Sequence, residues 1–118
     1  MVAEFSNPHI PTGDAPLFDL NHLQRYTGED ADLQKELLSL MIEQAERCLG
    51  LMMIAQERSD WRTAVHTLKG AARGVGAFAL GDLCDQAEEL PDIAWPGARV
   101  KIKYGIAATR EAFGDLAG

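Results

Sequence analysis

One histidine, His66, stands among cations at helical spacing: Arg62 precedes it by four residues, and Lys69 and Arg73 follow by three and seven. At 3.6 residues per turn these four share one outer sector of a helix. Trp61, Ala64, Val65, Leu68, Ala72 and Val75 form the apolar stripe on the other side. A neutral imidazole is a good nucleophile near neutral pH, and cations beside a ring favour its neutral form. Attack on phosphorus would leave a phosphoryl group on a ring nitrogen, with Lys69, Arg73 and, more weakly, Arg62 to balance its charge. Gly70 lies one turn beyond His66, where positions i and i+4 are neighbours. A glycine there costs a helix about 1 kcal/mol relative to alanine, and like charges along one face are also unfavourable. Neither feature serves a purely structural helix. Both suit a ring that another protein's surface must approach with an anion.

The elements that would position this ring are helical. Asp19 is a candidate N-cap for a short helix over 20–27, with Leu20, Leu23 and Tyr26 inward, His22 on the surface and Gly28 as the stop. Asp30 can cap a long helix over 31–57. Its broad face holds Leu33, Leu37, Leu40, Met41, Cys48, Leu51, Met52 and Ala55, and a narrower stripe holds Leu38, Ile42, Leu49 and Met53. The short helix is expected to cover most of that second stripe. Ser59 or Asp60 caps the motif helix over 60–76, with Gly74 and Gly76 serving close packing or termination. A further helix over 79–90 has Leu80, Leu83, Cys84, Ala87 and Leu90 on one side and Asp82, Asp85, Glu88 and Glu89 on the other, ending at Pro91. Residues 91–97 read as a loop from which Trp95 folds back. A last helix over 97–116 carries the stripe Ala98, Ile102, Ile106, Thr109, Phe113 and Leu116. The pattern predicts an all-α, up-down-up-down four-helix bundle preceded by a short N-terminal helix.

The chain has 118 residues, enough for one domain with its own core. Residues 1–16, with Pro8, Pro11, Gly13 and Pro16, read as an irregular leader holding a solvated His9, and 17–118 as the bundle. A net charge of −7 argues against nucleic acid, which needs a basic face. No apolar run spans a membrane and no secretory leader is apparent. Cys48 and Cys84 fall on apolar faces as free thiols, which points to a reducing, cytoplasmic setting. Asp19-x-x-His22 is a lone pair of metal-ligand types, and the inward stripes carry no carboxylates, so no metal or cofactor is expected. No phosphate-cradling glycine loop of the Walker type is present, so an autonomous kinase is not expected either.

His66-x-x-Lys69-Gly70, with Gly76-Ala77 ten residues after the histidine, resembles the signature of histidine-containing phosphotransfer (HPt) domains. Phe18-Asp19, Leu23, Tyr26-Thr27-Gly28-Glu29-Asp30 and Glu36-Leu37-Leu38 are similar to the family's N-terminal segment. Leu80, Leu83-Cys84 and Ala87-Glu88-Glu89-Leu90 are similar to its segment after the glycine. The resemblance covers about residues 17–117 and implies the same bundle. It further implies that His66 is phosphorylated on Nε2, whereas spacing alone leaves both ring nitrogens open. It implies that the acceptor aspartate and Mg²⁺ belong to a partner receiver domain. The partners would then be response-regulator receiver domains and a hybrid sensor histidine kinase, with this chain as carrier between them. Lys69 would steady the phosphoryl group and Gly70 would admit the partner. An exposed site suits a monomer. The alternative is a bundle that docks receiver or kinase domains without being phosphorylated.

Overall fold

In a computed structural model the described residues are 17–117, without the side chains of the last two. The leader expected over 1–16, His9 within it, and the packing of Leu116 lie outside them. Five α-helices follow one another: α1 (Leu20–Thr27), α2 (Ala31–Ile54), α3 (Arg58–Gly74), α4 (Phe78–Ala87) and α5 (Trp95–Ala117), with a 3₁₀ turn at Asp92–Ala94. No strand occurs among the described residues. Helix α2 packs on α3, α3 on α4, α4 on α5, and α5 back on α2, while α1 lies against α2.

Two caps act as their residue types predict. Asp19 accepts from the backbone N–H groups of Asn21 and His22, and Asp30 from that of Leu33. Each side chain satisfies amides that a helix start leaves without partners. Gly28, at φ 60°, stops α1. Other boundaries differ from the expected ones. Helix α3 begins at Arg58, before Ser59 and Asp60, and its N-cap Glu57 makes no side-chain capping bond. Asp60 instead sits in the first turn, where a negative charge favours the helix dipole. Helix α4 ends at Ala87, before Glu88, Glu89 and Leu90. The Ala87 carbonyl is taken by the Leu90 N–H at 3.2 Å and by the Trp61 indole at 3.0 Å, which tightens the chain into a turn. Helix α5 starts at Trp95, inside the expected loop. Pro96 then falls in the first turn, where its missing N–H leaves no hydrogen bond unmade.

The core confirms the stripes of α3 and α4 and rotates that of α2. Leu38, Met41, Ala45, Cys48 and Met52 are buried, at alternating three- and four-residue steps, between the two faces read from the sequence. Leu40 and Leu51, expected inside, are about half exposed. The neighbour across from Leu38 and Ile42 is α5, not α1: with Phe113 and Arg110 they line a groove of about 390 Å³. In α1 Leu23 and Thr27 are buried and Tyr26 is not, while His22 is half-buried. Its ring meets Tyr26 and Phe78 edge-on, with centroids 5.8 and 5.2 Å away. Trp61, fully buried, stacks on Trp95 at 4.8 Å with ring planes 6° apart. That stack locks the start of α3 to the start of α5.

Candidate functional site

Helix α3 holds His66 by its buried face. Trp61, Ala64, Val65, Leu68 and Ala72 are all buried, so the opposite sector must face water. The His66 side chain is 67% exposed. The scaffold is therefore rigid under the ring and open above it.

The cations around His66 are not left unbalanced. Helices α3 and α4 form a tight hairpin, and the acids of α4 and its terminal turn meet the cations of α3 in antiparallel order. Arg73 reaches Asp82 at 3.3 Å, Lys69 reaches Asp85 at 3.2 Å and Glu88 at 2.6 Å, and Arg62 reaches Glu89 at 3.1 Å. Arg58 donates to the Glu89 carbonyl at 3.3 Å. Glu88 and Glu89 lie at the C-terminal end of α4, where negative charge opposes the helix dipole. The α3 cations offset that cost. They also hold the Glu88 carboxyl below the usual carboxylate range: the Lys69 ammonium bond contributes most, and the His66 ring adds to it. The same contacts, Glu88 first, hold the Lys69 ammonium above its usual range.

Glu88 also bears on the ring itself. Its second oxygen lies 3.0 Å from His66 Nδ1. An ionised carboxylate only accepts, so Nδ1 carries the proton and Nε2 of the neutral ring carries the lone pair. The carboxylate is itself held in place, since only 13% of its side chain is exposed and its other oxygen is bound to Lys69. In the sequence Glu88 is one of four acids, with Asp82, Asp85 and Glu89, on the side of this helix away from its apolar stripe, and nothing local singles it out. The available signal was the matched order of charges along α3 and α4, which an antiparallel hairpin brings together.

Each expected site residue has a definite place. His66, Lys69 and Glu88 form one hydrogen-bonded cluster. Lys69 is mostly covered, at 16% side-chain exposure, and two of its three N–H donors are engaged. Arg73 lies two turns from His66 with its aliphatic chain across Gly81, where a Cβ would come within 2.7 Å of Arg73 Cγ. It works as a strut between α3 and α4. Gly70 is exposed, and a methyl group there would meet nothing within 4 Å. Nothing in the described fold needs a glycine at that position. Gly76 differs: at φ 89° it takes a left-handed turn, and a Cβ would lie 2.6 Å from the Asp19 carbonyl oxygen. Its own carbonyl accepts from the Asp19 N–H at 2.9 Å, tying the start of α1 to the α3–α4 turn. Beside the ring lies an open recess of about 400 Å³ lined by Ser59, Arg62, Thr63, His66, Thr67 and Glu88. No cluster of three metal-ligating side chains occurs among the described residues, and no described helix is long and apolar enough to cross a membrane.

No curated protein and no solved structure shows significant similarity to the chain. The sequence model of one family, the Hpt domain, matches residues 36–112, which span most of α2, all of α3 and α4 and most of α5, with His66 inside the match. An exposed histidine on a rigid helix, backed by a paired lysine and flanked by an open glycine, sits inside that match; the chain belongs to the Hpt domain family, the phosphotransfer modules of two-component signalling.

Proposed function

We propose that the chain carries a phosphoryl group on Nε2 of His66 between aspartates of receiver domains, one on a hybrid sensor histidine kinase and one on a response regulator. The observation that carries this reading is the Nδ1–Glu88 contact on a ring open to solvent. It supports Nε2 as the nucleophile. The Nε2 lone pair attacks phosphorus of the partner's aspartyl phosphate. The P–O bond to the carboxylate breaks, and the carboxylate leaves with the electron pair. The ring keeps its Nδ1 proton and gains positive charge, which the Glu88 carboxylate balances. Return to a second aspartate is the same step reversed.

Phosphoryl transfer is catalysed mainly by positioning and charge stabilisation. In this reading α3 positions the ring, and the third N–H of Lys69 turns toward the phosphoryl oxygens. Arg73 adds positive field from two turns away. Gly70 leaves space for the receiver. Mg²⁺ belongs to the receiver's aspartate pocket. The four longer helices form an up-down-up-down bundle, and the chain acts as a cytoplasmic monomer without kinase activity of its own.

Incubation with a phosphorylated receiver domain tests this. Label passes to the wild-type chain and not to His66→Gln, whose circular dichroism stays that of the wild type because the ring supports no packing. Absence of label on the wild type with every receiver of its host would leave a docking module instead.

A further inference from the structure

The motif His66-x-x-Lys69-Gly70 directs attention to the residues after His66. The geometry points to the residues before it: Arg62, with Ser59 and Thr63, forms the pocket that holds the phosphoryl group once it is on Nε2. This rests on the carrier reading above and adds to Lys69 a second cation in contact with the phosphoryl oxygens, on the N-terminal side of the ring.

Three observations carry it. Helical side chains lean toward the N-terminus, so the His66 ring lies over the turn containing Arg62 and Thr63. With Nδ1 tied to Glu88, the reactive nitrogen is the one directed away from that carboxylate. The recess beside the ring is lined by Ser59, Arg62, Thr63 and Thr67, and Lys69, Gly70 and Arg73 do not line it.

Availability of charge points the same way. The Lys69 ammonium is mostly covered and bound to two carboxylates. The Arg62 side chain is 50% exposed and holds one partner, Glu89, at 3.1 Å. A guanidinium has five N–H donors in a fork that matches two phosphoryl oxygens. Arg62 can therefore take the phosphoryl group with donors that Glu89 does not use, and the hydroxyls of Ser59 and Thr63 add neutral donors from the same stripe of α3. Glu88 lines the recess as well, and its charge repels the group. Arg62 is the cation in the lining that opposes it.

Phosphoramidate tests this without a protein partner. Nε2 attacks its phosphorus, the P–N bond breaks and ammonia leaves with the electron pair. The rate of phosphohistidine formation is followed by intact mass and ³¹P NMR. Arg62→Ala slows the reaction by about fivefold, the scale of one charge-assisted contact at a half-exposed position. Arg62→Lys recovers part of the loss. Glu89→Gln, which frees Arg62, speeds the reaction, and the gain disappears when Arg62→Ala is added. Arg99→Ala, which removes the same charge from α5, leaves the rate unchanged. Arg62→Ala at the wild-type rate, or a Glu89→Gln gain that persists without Arg62, overturns the assignment. A wild-type chain that takes label on no histidine with phosphoramidate and none from any receiver overturns the carrier reading itself, which separates the two failures.

Discussion

Gly70 offers a test in which stability and function should move in opposite directions. The residue lies inside α3, is exposed, and a methyl group there would meet nothing within 4 Å beyond its own turn of helix backbone. Gly70→Ala therefore adds no clash and removes the entropic cost of a glycine in a helix. The gain is about 1 kcal/mol, or roughly 4 °C in Tm for a chain of 118 residues. Gly70→Leu should gain nearly as much, since leucine is also a strong helix former. Its isobutyl group, however, projects from the sector that holds His66, one turn further on. A receiver aspartate must bring its phosphorus within attacking distance of Nε2, and a misplacement of about 1 Å costs on the order of a hundredfold in rate. Thermal and urea unfolding measure the first effect, and transfer from a phosphorylated receiver measures the second. Phosphoramidate supplies the control: it is small enough to pass the leucine, so its reaction with His66 should continue near the wild-type rate. Destabilisation by Gly70→Ala would show that the glycine serves the fold. Receiver transfer to Gly70→Leu at the wild-type rate would show that this sector is not the approach path.

Two further outcomes follow from the titrating groups. Glu88 is held below the usual carboxylate range in the folded state, so it contributes stability above that range and loses it as pH falls through its lowered value. Urea denaturation across pH should show wild type ahead of Glu88→Gln at neutrality, with the gap closing under acid; an equal gap at both ends would refute the pairing. Burial pushes the Cys84 thiol up to about 12 and raises that of Cys48. Neither should react with a thiol reagent in the native protein at mildly alkaline pH, and both should react in urea. Native labelling faster than unfolding would contradict their burial.

Much of the scaffold was legible because helical periodicity is a local property. Asp19, Asp30 and Gly28 mark helix ends through chemistry confined to a few neighbouring residues. The apolar stripe of α3 alone places His66 outward, since a ring opposite five buried positions has nowhere else to go. The stripe of α2 misled because that helix is apolar on two sides. Which side is buried depends on where α3 and α5 lie, and Leu40 and Leu51 lost to Leu38 and Ala45.

What occupies the Ala87 carbonyl was beyond local reading for a related reason. Pro91 has no N–H to give it, and the donor that reaches it from across the fold is the Trp61 indole, 26 residues away. Gly76 carries the same lesson, since its need for a bare Cα comes from Asp19 across the molecule.

For the site, the residue types and spacing alone picked out His66, Lys69 and Gly70, since these lie on one helix at fixed intervals. Which nitrogen is free, which cations are already paired and where the open recess lies were decided by the α3–α4 hairpin. Charge on the surface of one helix acquires its meaning from the helix beside it, and only the packed chain brings Glu88 to His66 and Lys69.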